Sequence, residues 1–211
     1  IQTMEVETTR LSIRAIVNGV AAVTTTNDLS AEGLALASNR AAQMASAAGN
    51  SGDYPTLSRD NPAAPIPIPN AICPDTQART TEEHLLSLRP AIERSKKDDT
   101  SLAGHSTSGS RRVCFASSAG RVRSFDSTLS NTMLIATSDQ RTSGHAAHAG
   151  TSIRTLDIES LGKKAVSQAL RGRNPISLGP GAYDVILEPE AVQELLEWLV
   201  GTGFTAGSYE D

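Results

Sequence analysis

The stretch Thr9-Arg10-Leu11-Ser12-Ile13-Arg14-Ala15-Ile16-Val17, Asn18-Gly19, Val20-Ala21-Ala22-Val23-Thr24-Thr25 decides the fold class. Its first run alternates apolar and polar side chains, as a strand with one buried face does. Asn18-Gly19 supplies the two positive-φ positions of a tight turn, so the second run returns as the partner strand of a hairpin. Asn27-Asp28-Leu29-Ser30 then offers capping side chains for a helix over about Ala31 to Ala48, with Leu34, Ala37, Ala41, Met44 and Ala45 on one face. A hairpin followed by a helix makes a packed α/β layer.

Between Gly49 and Thr80 the character changes. Asp60 to Pro69 holds four prolines in ten residues, which removes backbone donors and favours extended backbone. This reads as an irregular connector over about 49–80 that runs along the surface, most exposed to protease between Pro55 and Pro74. Thr80 and Glu83 form a capping box for a second helix, carried by Leu85, Leu88 and Ile92, with Pro90 expected to bend or split it.

From Ser101 the pattern turns to strands. Ser101–His105, Arg112–Ser118, Gly120–Ser127 and Thr132–Thr137 read as four short strands of an antiparallel meander. Leu156 to Arg171 is helical, with Ile158, Leu161, Ala165 and Ala169 inward and Gly172 as its stop. The organisation expected is 1–100, an α/β region containing the connector, and 101–211, a meander followed by helix, strand and helix.

Composition excludes little. The 211 residues carry a net charge of −4, which gives no basic footprint for nucleic acid, so no direct nucleic-acid partner is expected. Arg111-Arg112 and Arg121-Val122-Arg123 form a small basic cluster, read as solvated strand faces. Cys73 and Cys114 lack metal-type spacing and read as unpaired thiols of a reducing cytoplasm. No apolar run of about 18 residues and no cationic leader segment stands in the sequence, so neither membrane nor export is expected.

Three of the four histidines invite a metal reading. His145-Ala146-Ala147-His148 could ligate with His105 as a third donor, yet no carboxylate or cysteine stands at a fixed offset, and HxxH alone carries little. His84, in the first turns of a charged helix, is expected to be exposed.

The second informative stretch is Gly179-Pro180-Gly181-Ala182-Tyr183-Asp184-Val185-Ile186-Leu187-Glu188-Pro189-Glu190-Ala191-Val192, continuing through Leu195-Leu196-Glu197-Trp198-Leu199-Val200-Gly201-Thr202-Gly203. It reads as a turn, a short strand at Val185–Leu187, and an amphipathic helix opened by Pro189. Glu190, Glu194 and Glu197 share one face, with Val192, Leu195, Leu196, Leu199 and Val200 opposite. A solvated acidic face over a buried apolar one is the simplest reading.

This unit resembles the strand-helix unit of the TldD/PmbA family, metallopeptidase-like proteins also described as modulators of DNA gyrase. The resemblance extends to the N-terminal order of elements, to Ala103-Gly104, to Ser117-Ser118-Ala119-Gly120 and to Ser143-Gly144-His145-Ala146. It implies an α+β fold: an N-terminal α/β layer of hairpin and helices, then an antiparallel β-rich region that starts the family's C-terminal domain. It also implies a chain truncated at both ends.

Metal-binding members of the family carry His-Glu-x-x-x-His directly after a paired leucine. Here Leu195-Leu196 is followed by Glu197, Trp198 and Thr202 at the motif positions, so both histidines and the catalytic glutamate are replaced. Zinc catalysis needs about three protein ligands and a carboxylate base, and these residues offer one possible ligand and no base. Gly201 is placed to end the helix there.

The resemblance therefore implies the metal-free, PmbA/TldE-like branch, with no catalytic, cofactor or metal residue in this chain and zinc confined to a metal-bearing relative. Its implied role is the non-catalytic subunit of a cytoplasmic peptidase acting on unfolded peptides, dimeric with a TldD-like relative or with itself. The alternatives are an active metallopeptidase with ligands outside this chain or from His105, His145 and His148, and a non-enzymatic modulator of gyrase acting by protein binding.

Overall fold

In the computed structural model, the structure describes residues 2–49, 54, 57 and 68–204. Most of the proline-rich connector, Pro55, Pro62, Pro65 and Pro67 included, lies outside the described residues. Backbone contacts divide the chain into two units, Ile1–Arg173 and Asn174–Asp211.

The first unit opens with β1 (Leu11–Val17) and β2 (Val20–Thr26), antiparallel with Val17 opposite Val20. Asn18 at φ 51° and Gly19 at φ 75° take the left-handed backbone that a two-residue hairpin turn requires. Helix α1 (Ala31–Ala47) is capped by the Ser30 hydroxyl, which accepts from the Gly33 amide. It buries Gly33, Ala37, Ala41 and Ala45 against the hairpin. Met44, expected on that face, is exposed: the helix sits so close that only small side chains fit beneath it, and the Met44 side chain lies outside.

Helix α2 (Pro74–Gln77) is one turn, and α3 (Thr81–Lys97) starts from the expected capping box. The Thr80 hydroxyl accepts from the Glu83 amide while the Glu83 carboxylate accepts from the Thr80 amide. Pro90 does not split α3, which runs unbroken to Lys97. Its ring lies instead at a cleft of about 250 Å³ shared with Arg79, Ser87, Ile153 and Leu156.

The meander differs from its expected form. Two 17-residue strands, β3 (Thr100–Ala116) and β4 (Val122–Ser138), replace the four short ones, and β5 (Ser143–Gly150) completes a sheet of order β3-β4-β5. The serine and threonine runs that looked like breaks are strand. Thr128, Ser130 and Thr132 are buried on β4, and Ser106 opposite Thr132 shares a hydroxyl hydrogen bond with it at 2.8 Å. The Thr132 hydroxyl meets that of Ser106 and the Thr128 hydroxyl meets backbone groups of Cys73 and Thr151, so polar side chains face inward where hydrophobic alternation cannot reveal them.

Helix α4 (Ile158–Arg171) covers one face of this sheet beside α3. The core is Ala91, Leu134, Ala136, Ala146, Ile158, Ala165, Val166 and Ala169, bordered by Leu88, Leu102, Leu156, Leu161 and Leu170. Alanine dominates it because the layers approach closely: a Cβ on Gly162 would stand 2.6 Å from the Ala91 Cβ. Gly172 ends α4 at φ −72°, in helical backbone rather than the left-handed form.

The second unit is an extended segment followed by α5 (Pro189–Gly203), with Pro189 in the first turn and the Glu188 carbonyl accepting from Ala191 and Val192. Val185–Leu187, expected as a strand, is extended backbone before α5 with no strand assigned to it within this unit.

Candidate functional site

Helix α5 carries the positions the sequence singled out, and its geometry sets them apart. Gly201, expected to stop the helix, lies inside it, because α5 continues to Gly203. On a continuous helix, residues five apart differ by about 140°. Glu197 and Thr202 therefore diverge rather than meet at one point. The Thr202 hydroxyl is also engaged, donating to the Trp198 carbonyl at 2.7 Å. No side chain of α5 is buried: Leu195, Leu196, Trp198, Leu199 and Val200 are all exposed on the apolar side that the sequence assigns to a core.

The histidines are separated by strand geometry. His145 and His148 are three residues apart on β5, so they project from opposite faces of the sheet. His148 stands opposite Thr132, on the helix-covered face, with its Nε2 3.3 Å from the Thr155 hydroxyl. His105 and His145 share the other face, and the His105 Nε2 lies 2.9 Å from the Asn131 Oδ1. The three cannot close on one ion. Among the described residues no group of three His, Cys, Asp or Glu side chains could hold a metal.

His84 is not the exposed residue the sequence predicts. It is half-buried where α3 meets β3, its Nε2 2.7 Å from the Ser108 hydroxyl and its Nδ1 3.4 Å from that of Ser106. Burial pushes its pKa below the ordinary value, the neighbouring Arg79 adds to that, and Glu83 opposes it. A base whose folded pKa is depressed is protonated first in the unfolded chain. Its share of stability is thus full above about pH 6.5 and falls as pH drops through the window below that value. His84→Gln should flatten this part of the profile, seen as a smaller loss of urea-unfolding free energy between about pH 7 and pH 5 than in the parent chain. Equal losses would mean that His84 does not titrate in that window.

The connector's C-terminal end is built into the sheet rather than laid over the surface. Cys73 and Thr76 are buried. The Ala71 carbonyl accepts from the Thr128 amide at 2.8 Å, and the Cys73 amide donates to the Thr128 hydroxyl at 2.9 Å. The Thr76 hydroxyl donates to the Thr151 carbonyl and accepts from the Ile153 amide, at 3.1 and 2.8 Å. Asp75 and Arg154 pair outside this seam, and the guanidinium holds the Asp75 carboxyl below its usual range. Both cysteines are free thiols, Cys73 buried and Cys114 exposed.

The basic cluster lies on the distal β3–β4 hairpin, split between its faces. Arg112 makes a two-pronged pair with Asp126 across the strands at 2.6 and 2.9 Å, which holds that carboxyl below its usual range. Arg111 and Arg123 share the opposite face with Val113, Phe115, Phe125 and Leu129, all exposed. Sequence patterning missed this face because the two strands were read as separate short pieces.

No protein-family model and no curated protein sequence matches the chain. Solved structures do. A protein of Bacteroides thetaiotaomicron described as a modulator of DNA gyrase superposes with a TM-score of 0.78 at 15% identity, over 90% of this chain and 46% of its own. A Thermotoga maritima protein of the same description gives 0.57 at 12%, over 82% and 39%. TldE from Thermococcus kodakarensis gives 0.57 at 18%, over 76% and 37%. The chain thus has the fold of TldD/PmbA-type proteins, an α+β arrangement of hairpin, helices and antiparallel sheet, and spans less than half the length of these three structures. No helix among the described residues is long and apolar enough to cross a membrane.

Proposed function

We propose that this chain is a PmbA/TldE-like, metal-free subunit of a cytoplasmic peptidase that degrades or matures unfolded peptides. In this reading a metal-bearing TldD-like relative supplies the zinc and the base, and this chain shapes the peptide site. The observation that carries the reading is α5. By the family resemblance Glu197, Trp198 and Thr202 take the places of two histidines and a glutamate in metal-binding relatives, and they lie on a helix whose continuation turns the outer two positions away from each other. These residues do not fit a catalytic zinc, which requires converging ligands and a carboxylate base. The fold shared with TldE supports the same branch. The description shared by the other two structures keeps a second role open, modulation of gyrase by protein binding.

The test is metal content and activity together. Purified chain is expected to hold far less than one zinc per molecule by plasma mass spectrometry, and Glu197→Ala to leave that value unchanged. Hydrolysis of an unfolded peptide should be at background for the chain alone and appear when a metal-bearing relative is added. Equimolar zinc that disappears on replacing Glu197 or His145 would establish the active-metallopeptidase reading instead.

A further inference from the structure

We infer that the distal β3–β4 hairpin is a binding ribbon for single-stranded nucleic acid. The inference goes beyond the proposed subunit role and does not rest on it.

Its basis is the composition of one face. Residues 109–129 contain four arginines and one acidic residue, Asp126, which is bound to Arg112 on the opposite face. The register sets Val113 opposite Phe125 and Phe115 opposite Arg123, with Arg111 two residues before Val113 on the same side. That side therefore presents two aromatic rings flanked by two guanidinium groups, and no carboxylate. Phe115 is 55% and Phe125 41% exposed, so both rings are open to a partner. The face continues the side of the sheet that α3 and α4 leave uncovered.

Charge and ring chemistry together select the partner. Arginines without a local acid attract a polyanion. Aromatic rings beside them offer stacking surfaces for unpaired bases, the combination by which single strands are held without sequence preference. An acidic peptide would satisfy the guanidinium groups but would set carboxylates against ring faces whose π-electrons are negative. A duplex hides its bases from the rings. Because the whole chain is acidic, at −4, the attraction is local and must be sensitive to salt.

The experiment measures fluorescence anisotropy of a labelled twelve-residue oligothymidine titrated with the 211-residue chain at several salt concentrations. Phe115→Ala/Phe125→Ala and Arg111→Ala/Arg123→Ala should each weaken binding at least tenfold, while Arg111→Lys/Arg123→Lys, which keeps the charge, should retain most of it. Removing the two arginines should also flatten the dependence of log affinity on log salt by roughly 1.4, since each phosphate contact on a single strand contributes roughly 0.7. A duplex of the same length should bind more weakly than the single strand. All four side chains altered are on an exposed face, and circular dichroism of each variant checks that it is folded. The inference is overturned if the single strand does not bind, if the phenylalanine variant binds as the parent does, or if a polyglutamate peptide binds as tightly as oligothymidine.

Discussion

Replacing Gly144 by alanine is expected to destabilise the chain by about 3 kcal/mol, at the upper end of what overpacking costs. A Cβ on Gly144 would stand 2.1 Å from the Ala165 carbonyl oxygen and 2.6 Å from the Ala169 amide nitrogen. Both are backbone atoms of α4, which cannot rotate aside as a side chain would. The helix must lift from β5, and with it Ala165 and Ala169, both fully buried in the core. For a domain of this size the loss corresponds to a fall in melting temperature of about 6–12 °C. Gly109→Ala is the control, because a Cβ there meets nothing within 4 Å. A Gly144→Ala chain that melts within about 2 °C of the parent would show that the α4–β5 contact is looser than its geometry states.

That contact illustrates what the sequence could and could not reveal. The hairpin, α1 and the capping box of α3 were legible because each has a local cause: positive φ at Asn18-Gly19, the Ser30 hydroxyl, and the reciprocal bonds of Thr80 and Glu83. The length of β3 and β4 was not, because inward polar residues such as Thr132 and Thr128 find partners distant in sequence, the Ser106 hydroxyl across the strands and the Cys73 amide and Thr151 carbonyl beside them. Likewise the close approach at Gly144 leaves no mark beyond a glycine in a Gly-Ala-rich run.

The candidate site divides in the same way. The identities of Glu197, Trp198 and Thr202 stand in the sequence, and identity decides whether a ligand exists. The run of the helix past Gly201 needed structure, as did the separation of His145 from His148 once β5 formed as a strand. The place of His84 depended on Ser106 and Ser108, more than twenty residues away, which no local pattern links to it. The aromatic and basic face of the hairpin exists only because Val113 and Phe115 on one strand align with Phe125 and Arg123 on the other.

The seam beneath α2 yields a prediction that separates hydrogen bonding from packing. Thr128→Val and Thr76→Val preserve shape while deleting a hydroxyl from buried positions, 3% and 0% exposed. Each loss orphans one amide, that of Cys73 or of Ile153, at a cost of about 2 kcal/mol for an unsatisfied buried group. The Thr151 carbonyl, however, accepts from both hydroxyls, at 2.7 and 3.1 Å. Either single variant leaves it one donor, and only the pair leaves it with neither. The double variant should therefore lose about 5 kcal/mol by urea unfolding, roughly 1 kcal/mol beyond the sum of the singles. Packing alone predicts simple addition. A double variant no worse than the sum of its parts would mean that the threonines act independently, and that the shared carbonyl does not tie residues 71–76 to the strand and turn beside them.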